Sequence, residues 1–240
     1  MKKKIIYIAL FSAFAFINAS AQDQTTKGFI SIGGGISMLS GNITKTDYED
    51  LSSGFAKSSG GVFSLDGAYF FKKNFGAGLN ISFGRYAMNE YEKLAEGAYE
   101  AYEIEEAAIT PGHYSYVNFL PAFYYTTGGE KFAFDARILL GYQNLTTPEI
   151  VIGLEENEIV QKSASGGGFA YGIGVAGRFN FSKSLGLHVG IDYINSKPNI
   201  TIENEGINNT FETLRVVDKY NESIGMINAT LGICYSFGSK

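Results

Sequence analysis

The sequence has a single cysteine, Cys234, no tryptophan and only four prolines. One thiol excludes an internal disulfide framework, and its place near the C-terminus excludes a lipid-modified N-terminal cysteine. After residue 17 no apolar run approaches the roughly 20 residues that a membrane-crossing helix needs. Basic residues are scarce too: 19 Lys and Arg face 24 Asp and Glu, and three of the lysines stand at positions 2–4. An acidic exported chain is a poor match for a phosphate backbone, so nucleic acid is not an expected partner.

Glycine and aromatic residues are abundant instead, with 30 Gly, 19 Phe and 16 Tyr. Such a composition favours strands joined by turns. At the N-terminus, Lys2, Lys3 and Lys4 precede the 13-residue apolar run Ile5 to Ile17, and Ala19-Ser20-Ala21 follows. A basic start, a short apolar segment and small residues two apart form a secretory signal peptide, residues 1–21, cleaved after Ala21. The exported part, residues 22–240, then carries 16 basic against 24 acidic residues, a formal charge of −8.

Short and long connections alternate along this part. Tight turns fit at Lys72 to Asn74, Thr127 to Glu130 and Ser182 to Ser184. Four long polar segments fall near Gly41 to Ser59, Asn89 to Pro111, Leu145 to Ser165 and Ser196 to Glu222. Seven connections join eight strands, which read as Lys27 to Ser40, Gly60 to Phe71, Phe75 to Met88, Gly112 to Thr126, Lys131 to Asn144, Gly166 to Phe181, Leu185 to Asn195 and Ser223 to Phe237. At 11 to 16 residues these exceed the usual strand and suit a tilted crossing of a bilayer, which takes about 9 to 11. Pro121 cannot donate to a ladder and predicts a bulge or kink in the fourth.

The faces decide the class. In Leu185 to Tyr193, Leu185, Leu187, Val189, Ile191 and Tyr193 alternate with Gly186, His188, Gly190 and Asp192. The same pattern holds in Phe169 to Phe181, Phe132 to Tyr142, Phe75 to Phe83 and Ile227 to Phe237. A soluble barrel of the calycin type would bury the bulky faces and leave a glycine-rich sheet in water. Glycine, alanine and serine cannot fill an interior to normal density unless it is narrow. The inside-out arrangement resolves this: an all-β, eight-stranded antiparallel up-and-down transmembrane barrel with the apolar face toward lipid. Phe71, Phe75, Phe132, Phe181 and Phe237 beside the turns, and Tyr86, Tyr142 and Tyr193 toward the other end, would form two aromatic girdles.

Together, the signal peptide, the eight alternating strands, the turn and loop pattern and the C-terminal "ICYSF" resemble the small eight-stranded outer-membrane β-barrel family of the outer-membrane protein A and X types. That resemblance implies an outer-membrane location, both termini in the periplasm, and long loops outside. It implies contact with outer-membrane lipid and lipopolysaccharide. It also implies an assembly signal in the last strand, read by the barrel assembly machinery, for which Tyr235 and Phe237 fit, with Gly238, Ser239 and Lys240 following.

By the same alternation Asp66, Asp135, Arg137, Arg178, His188 and Asp192 point into the lumen. In so narrow a barrel opposite charges should pair, forming a structural plug in preference to a gated polar path. Two histidines give thin support for catalysis; His113 with Ser115 near the outer rim is the one arrangement to weigh, and the expectation is no enzyme. No cofactor or metal site is expected, the seven glutamates and one lysine between Asn89 and Pro111 reading as a solvated loop whose middle could form a short helix. The third and fourth long segments alternate and predict hairpins rising above the membrane, with edges open to a surface partner. The expected role is surface interaction, adhesion or envelope integrity carried by the loops, with a narrow channel or carrier as the alternative and a lipid-modifying rim enzyme third.

Overall fold

The computed structural model describes residues 26–47, 54–93, 96, 107–154, 157–207 and 213–238. Its strands in chain order are β1 (Gly28–Ser40), β2 (Ser59–Phe70), β3 (Phe75–Ala87), β4 (Ala107–Thr110), β5 (His113–Gly128), β6 (Phe132–Thr146) and β7 (Ile150–Leu154). They continue as β8 (Asn157–Gln161), β9 (Ser165–Asn180), β10 (Leu185–Ser196), β11 (Ile200–Ile207), β12 (Thr213–Tyr220) and β13 (Ile224–Phe237). Eight of them close a barrel in the order β1-β13-β10-β9-β6-β5-β3-β2, every neighbour antiparallel. Their ends fall within two residues of the strands read from the sequence. Closure leaves no backbone edge along the wall, which is the condition for a sheet to stand in hydrocarbon.

The remaining strands, β12-β11-β8-β7-β4, form a second, five-stranded antiparallel sheet at the long-loop end. It is the upward continuation of one side of the wall. β4 runs on into β5, β6 into β7, β8 into β9, β10 into β11 and β12 into β13, each across two or three residues. The hairpins expected in the third and fourth segments are therefore present, and they pair with each other. Over β1, β2 and β3 there is no matching extension among the described residues.

Two expectations need correction. Pro121 produces no bulge: pairing with β6 resumes in unchanged register, Phe119 opposite Tyr142 and Ala122 opposite Leu139, while the β3 side keeps Leu79 opposite Pro121. The missing N–H interrupts the β6 ladder locally without adding a residue. Tyr86 is not in the outer girdle. Phe83 faces outward, so three positions on the side chain turns inward, where Tyr86 is 1% exposed. Of the short helix in the second connection, residues 92, 93 and 96 are helical and the rest of its middle lies outside the described residues, as does the signal peptide.

Candidate functional site: the lumen and its cap

The interior is built in three tiers. Nearest the short turns, Arg178 on β9 forms a two-pronged pair with Asp135 on β6, Nε to Oδ2 at 2.7 Å and Nη2 to Oδ1 at 2.9 Å, and donates to Thr126 at 3.1 Å. Its guanidinium lies 4.4 Å over the ring of Phe29 and 5.4 Å from that of Phe70. Those inward phenylalanines supply the cation with an apolar, electron-rich bed in place of water.

Above them Arg137 on β6 bridges two carboxylates. Its Nε and Nη2 donate to Asp192 Oδ1 and Oδ2, both at 2.7 Å, and its Nη1 donates to Asp66. The Tyr124 hydroxyl also donates to Asp66. His188 stacks on Phe29 with centroids 5.7 Å apart, and its Nε2, buried without a hydrogen bond, lies 3.6 Å from Asp66 Oδ2. Buried charges stay ionised only when paired and hydrogen-bonded, and this tier meets both conditions for Arg137. The six predicted lumen residues thus all point inward, and they separate into an Arg178–Asp135 pair and an Arg137-centred cluster with Phe29 between them.

The third tier is neutral. Ser37 bonds Asn228 and Tyr86 at 2.5 Å each, Tyr116 reaches Asn228 at 3.1 Å, and Gln143 donates to Asn118 at 2.8 Å and accepts from Ser196. Glycines on neighbouring strands make room for these bulky groups, Gly84 being paired with Tyr116 and Gly174 with Asp192. A Cβ on Gly84 would fall 2.0 Å from the Tyr116 ring, and one on Gly174 would fall 1.9 Å from Asp192 Oδ1. The glycine-rich face is therefore the complement of inward tyrosines and ion pairs that a reading of faces one strand at a time does not match up.

Over this the first long connection folds back into the mouth. A 3-10 turn at Asn42–Thr44 sets Ile43 into the barrel, and Phe55 and Ala56 join it, all at 5% exposure or less. They pack with Leu39, Met88, Tyr114, Leu145, Ile150, Ile200 and Ile224. Phe55 holds a left-handed φ of 54°, costly for a bulky side chain, and backbone bonds fix it: its N–H donates to Lys45 at 2.9 Å and its carbonyl accepts from Asn89 at 2.7 Å. Outside the cap, Glu90 accepts from Lys93 at 2.5 Å and from Thr46 at 3.1 Å, strapping the first connection to the second. The Lys93 ammonium, then Thr46, holds that exposed carboxyl below its ordinary range. No sequence pattern points to the cap, because Ile43 and Phe55 are isolated apolar residues among polar ones.

The outer surface of the wall is the opposite of the lumen. Ile30, Ile32, Phe63, Phe119, Ile138, Leu140, Phe169, Ile173, Leu187, Ile191, Leu231 and Ile233 are among the large apolar side chains 40% or more exposed, and they encircle the barrel. A continuous apolar belt around a closed sheet far exceeds the few hundred Å² that a soluble surface tolerates. Along the belt charge lies inside the wall and hydrocarbon-compatible groups outside, the outward Arg85 standing at the long-loop end of β3.

The chain is an eight-stranded β-barrel of the outer-membrane type.

Phe71, Phe75, Phe132 and Phe181 at the short-turn end and Tyr142 and Tyr193 at the other stand outward, as an interfacial girdle requires. No family model matches the chain, and no curated protein matches its sequence. Among solved structures, it is similar to the attachment invasion locus protein Ail of Yersinia pestis, with 17% identity, 89% of this chain and all of that one covered, and a TM-score of 0.46. A major outer membrane protein from Thermus thermophilus follows at 10% identity, 88% and 98% coverage and TM-score 0.49. OprG from Pseudomonas aeruginosa stands at 11% identity, 90% and 98% coverage and TM-score 0.45. The assignment rests on the wall and lumen and not on these likenesses.

The rim pair weighed for catalysis is not assembled. His113 and Ser115 share the outward face of β5, and the His113 side chain makes no hydrogen bond or ion pair among the described residues. Tyr235 is outward and 52% exposed, and Phe237 follows on the same face, half-buried at the seam with β1.

Proposed function

We propose that this outer-membrane barrel is an anchor for its outer sheet, and that it acts by surface interaction, without enzymatic activity. The observation that carries this reading is the contrast between the two ends of the molecule's interior. The lumen is filled by ion pairs and closed by Ile43 and Phe55, whereas five wall strands continue outward as a sheet whose edge strands, among the described residues, are β4 and β12. Material invested beyond the membrane, above a plugged pore, suits recognition better than passage. The long connections hold nineteen acidic and seven basic residues, so the complementary partner is a basic macromolecular surface.

The test is adhesion of cells displaying the chain to immobilised proteins of graded isoelectric point. Adhesion should favour basic proteins, weaken with salt, and vanish when residues 200–220 are replaced by a short glycine turn that leaves the boil-dependent gel shift intact. Unchanged adhesion by that variant would refute the reading. Planar-bilayer recording checks the channel alternative independently: insertion without discrete current steps is expected, and reproducible steps would make transport the function.

A further inference from the structure

The short-turn end carries a charge pattern that neither the lumen nor the outer sheet uses. Going round the wall, four corners meet that end: the β2–β3 turn, the β5–β6 turn, the β9–β10 turn, and the seam where β13 meets β1. Each corner holds lysine, with Lys72 and Lys73 in the first, Lys131 in the second, Lys183 in the third and Lys27 at the seam. The described residues there include one acid, Glu130. Lys27, Lys72, Lys131 and Lys183 are exposed.

Each lysine stands beside an outward aromatic ring. Phe71 and Phe75 flank Lys72, Phe132 follows Lys131, Phe181 precedes Lys183, and Tyr235 stands near the seam, with exposures from 41% to 59%. The rings fix the depth of this end at the boundary between hydrocarbon and headgroups. A lysine stem lies along such a belt and lifts its ammonium into the headgroup layer. Successive corners are two strand widths apart, roughly 10 Å, which is within reach of mutual repulsion at physiological salt. Lys27, Lys72, Lys131 and Lys183 set four exposed cations around this end, and they call for negative charge from outside the chain.

We propose that the short-turn end is a binding surface for anionic phospholipid, in which Lys27, Lys72, Lys131 and Lys183 take the phosphate headgroups of the leaflet they face. The barrel is then oriented and held by lipid charge at one end while its acidic loops stand free at the other.

The test uses the full exported chain refolded into phosphatidylcholine vesicles containing about one-fifth phosphatidylglycerol, with spin-labelled lipids reporting which headgroup contacts the barrel. Phosphatidylglycerol should be enriched about three- to fivefold at low salt. Enrichment should fall to parity in the fourfold variant Lys27→Gln/Lys72→Gln/Lys131→Gln/Lys183→Gln and persist in Lys57→Gln/Lys162→Gln/Lys197→Gln/Lys219→Gln. Should the fourfold variant fail to refold, the unmodified chain still decides the matter, because raising salt toward 1 M shortens the screening length to about 3 Å and should abolish the preference. Equal contact with both lipids, enrichment that survives loss of the four lysines, or enrichment abolished by millimolar inorganic phosphate would overturn the proposal, the last by making the site one for a free anion.

Discussion

Replacing Arg137 by methionine probes the Arg137-centred tier of the plug. Arg137 makes a two-pronged pair with Asp192 and a third bond to Asp66, and the three side chains are 0%, 3% and 2% exposed. Removing one partner of a buried pair costs about 3–5 kcal/mol, mostly because the other charge is left uncompensated. Here two carboxylates would remain, so the upper end, about 5 kcal/mol, is expected. With a urea slope of about 2 kcal/mol per molar, the midpoint should fall by about 2.5 M. The variant Arg137→Met/Asp66→Asn/Asp192→Asn removes the charges together and should recover to within about 2 kcal/mol of the parent, since a buried network replaced whole is often nearly neutral. The chain lacks tryptophan, so the folded fraction in vesicles is read from the unboiled gel band and from circular dichroism. A loss under about 1 kcal/mol for the single change, or a triple variant no better than the single one, would refute the view that these charges are held chiefly by one another.

Three further outcomes are expected. Gly174→Val should cost more than about 3 kcal/mol, its Cβ falling 1.9 Å from Asp192 Oδ1, whereas Gly61→Ala, with nothing within 4 Å, should stay within about 0.5 kcal/mol in the same urea titration. Tyr235→Ala/Phe237→Ala should leave vesicle refolding intact while lowering the amount of heat-shifting barrel in the outer membrane of expressing cells, measured on unboiled gels. Cys234, fully buried between β1 and β10, should resist maleimide in the folded barrel and react once urea unfolds it, so that labelling before unfolding would contradict its inward place.

The wall is legible in the sequence because its strands obey a single period, and a period of two needs no knowledge of the partner strand. That suffices to place Asp66, Asp135, Arg137, Arg178, His188 and Asp192 inside. It does not pair them: Arg178 finds Asp135 diagonally on the adjacent strand, Arg137 reaches Asp192 over Gly174 and Asp66 across the lumen, and no single strand encodes that register. Nearness to a strand end misplaces Tyr86, and parity with Phe83 places it correctly. The cap escapes because Ile43 and Phe55 have no periodic neighbours. Hairpins in the long segments are readable from alternation, but their union into one sheet depends on β8 meeting β11, a contact between different loops.

The unbroken passage from β10 into β11 and from β12 into β13 has a mechanical consequence. Tension applied at the tip of the β11–β12 hairpin, about 26 Å above its base for eight residues at 3.3 Å each, runs lengthwise into two adjacent wall strands. Their ladders to β9 and β1 are then loaded in shear, many bonds at once, and a closed wall offers no edge strand to peel away one bond at a time. A tether built this way transmits force to the membrane before it unravels.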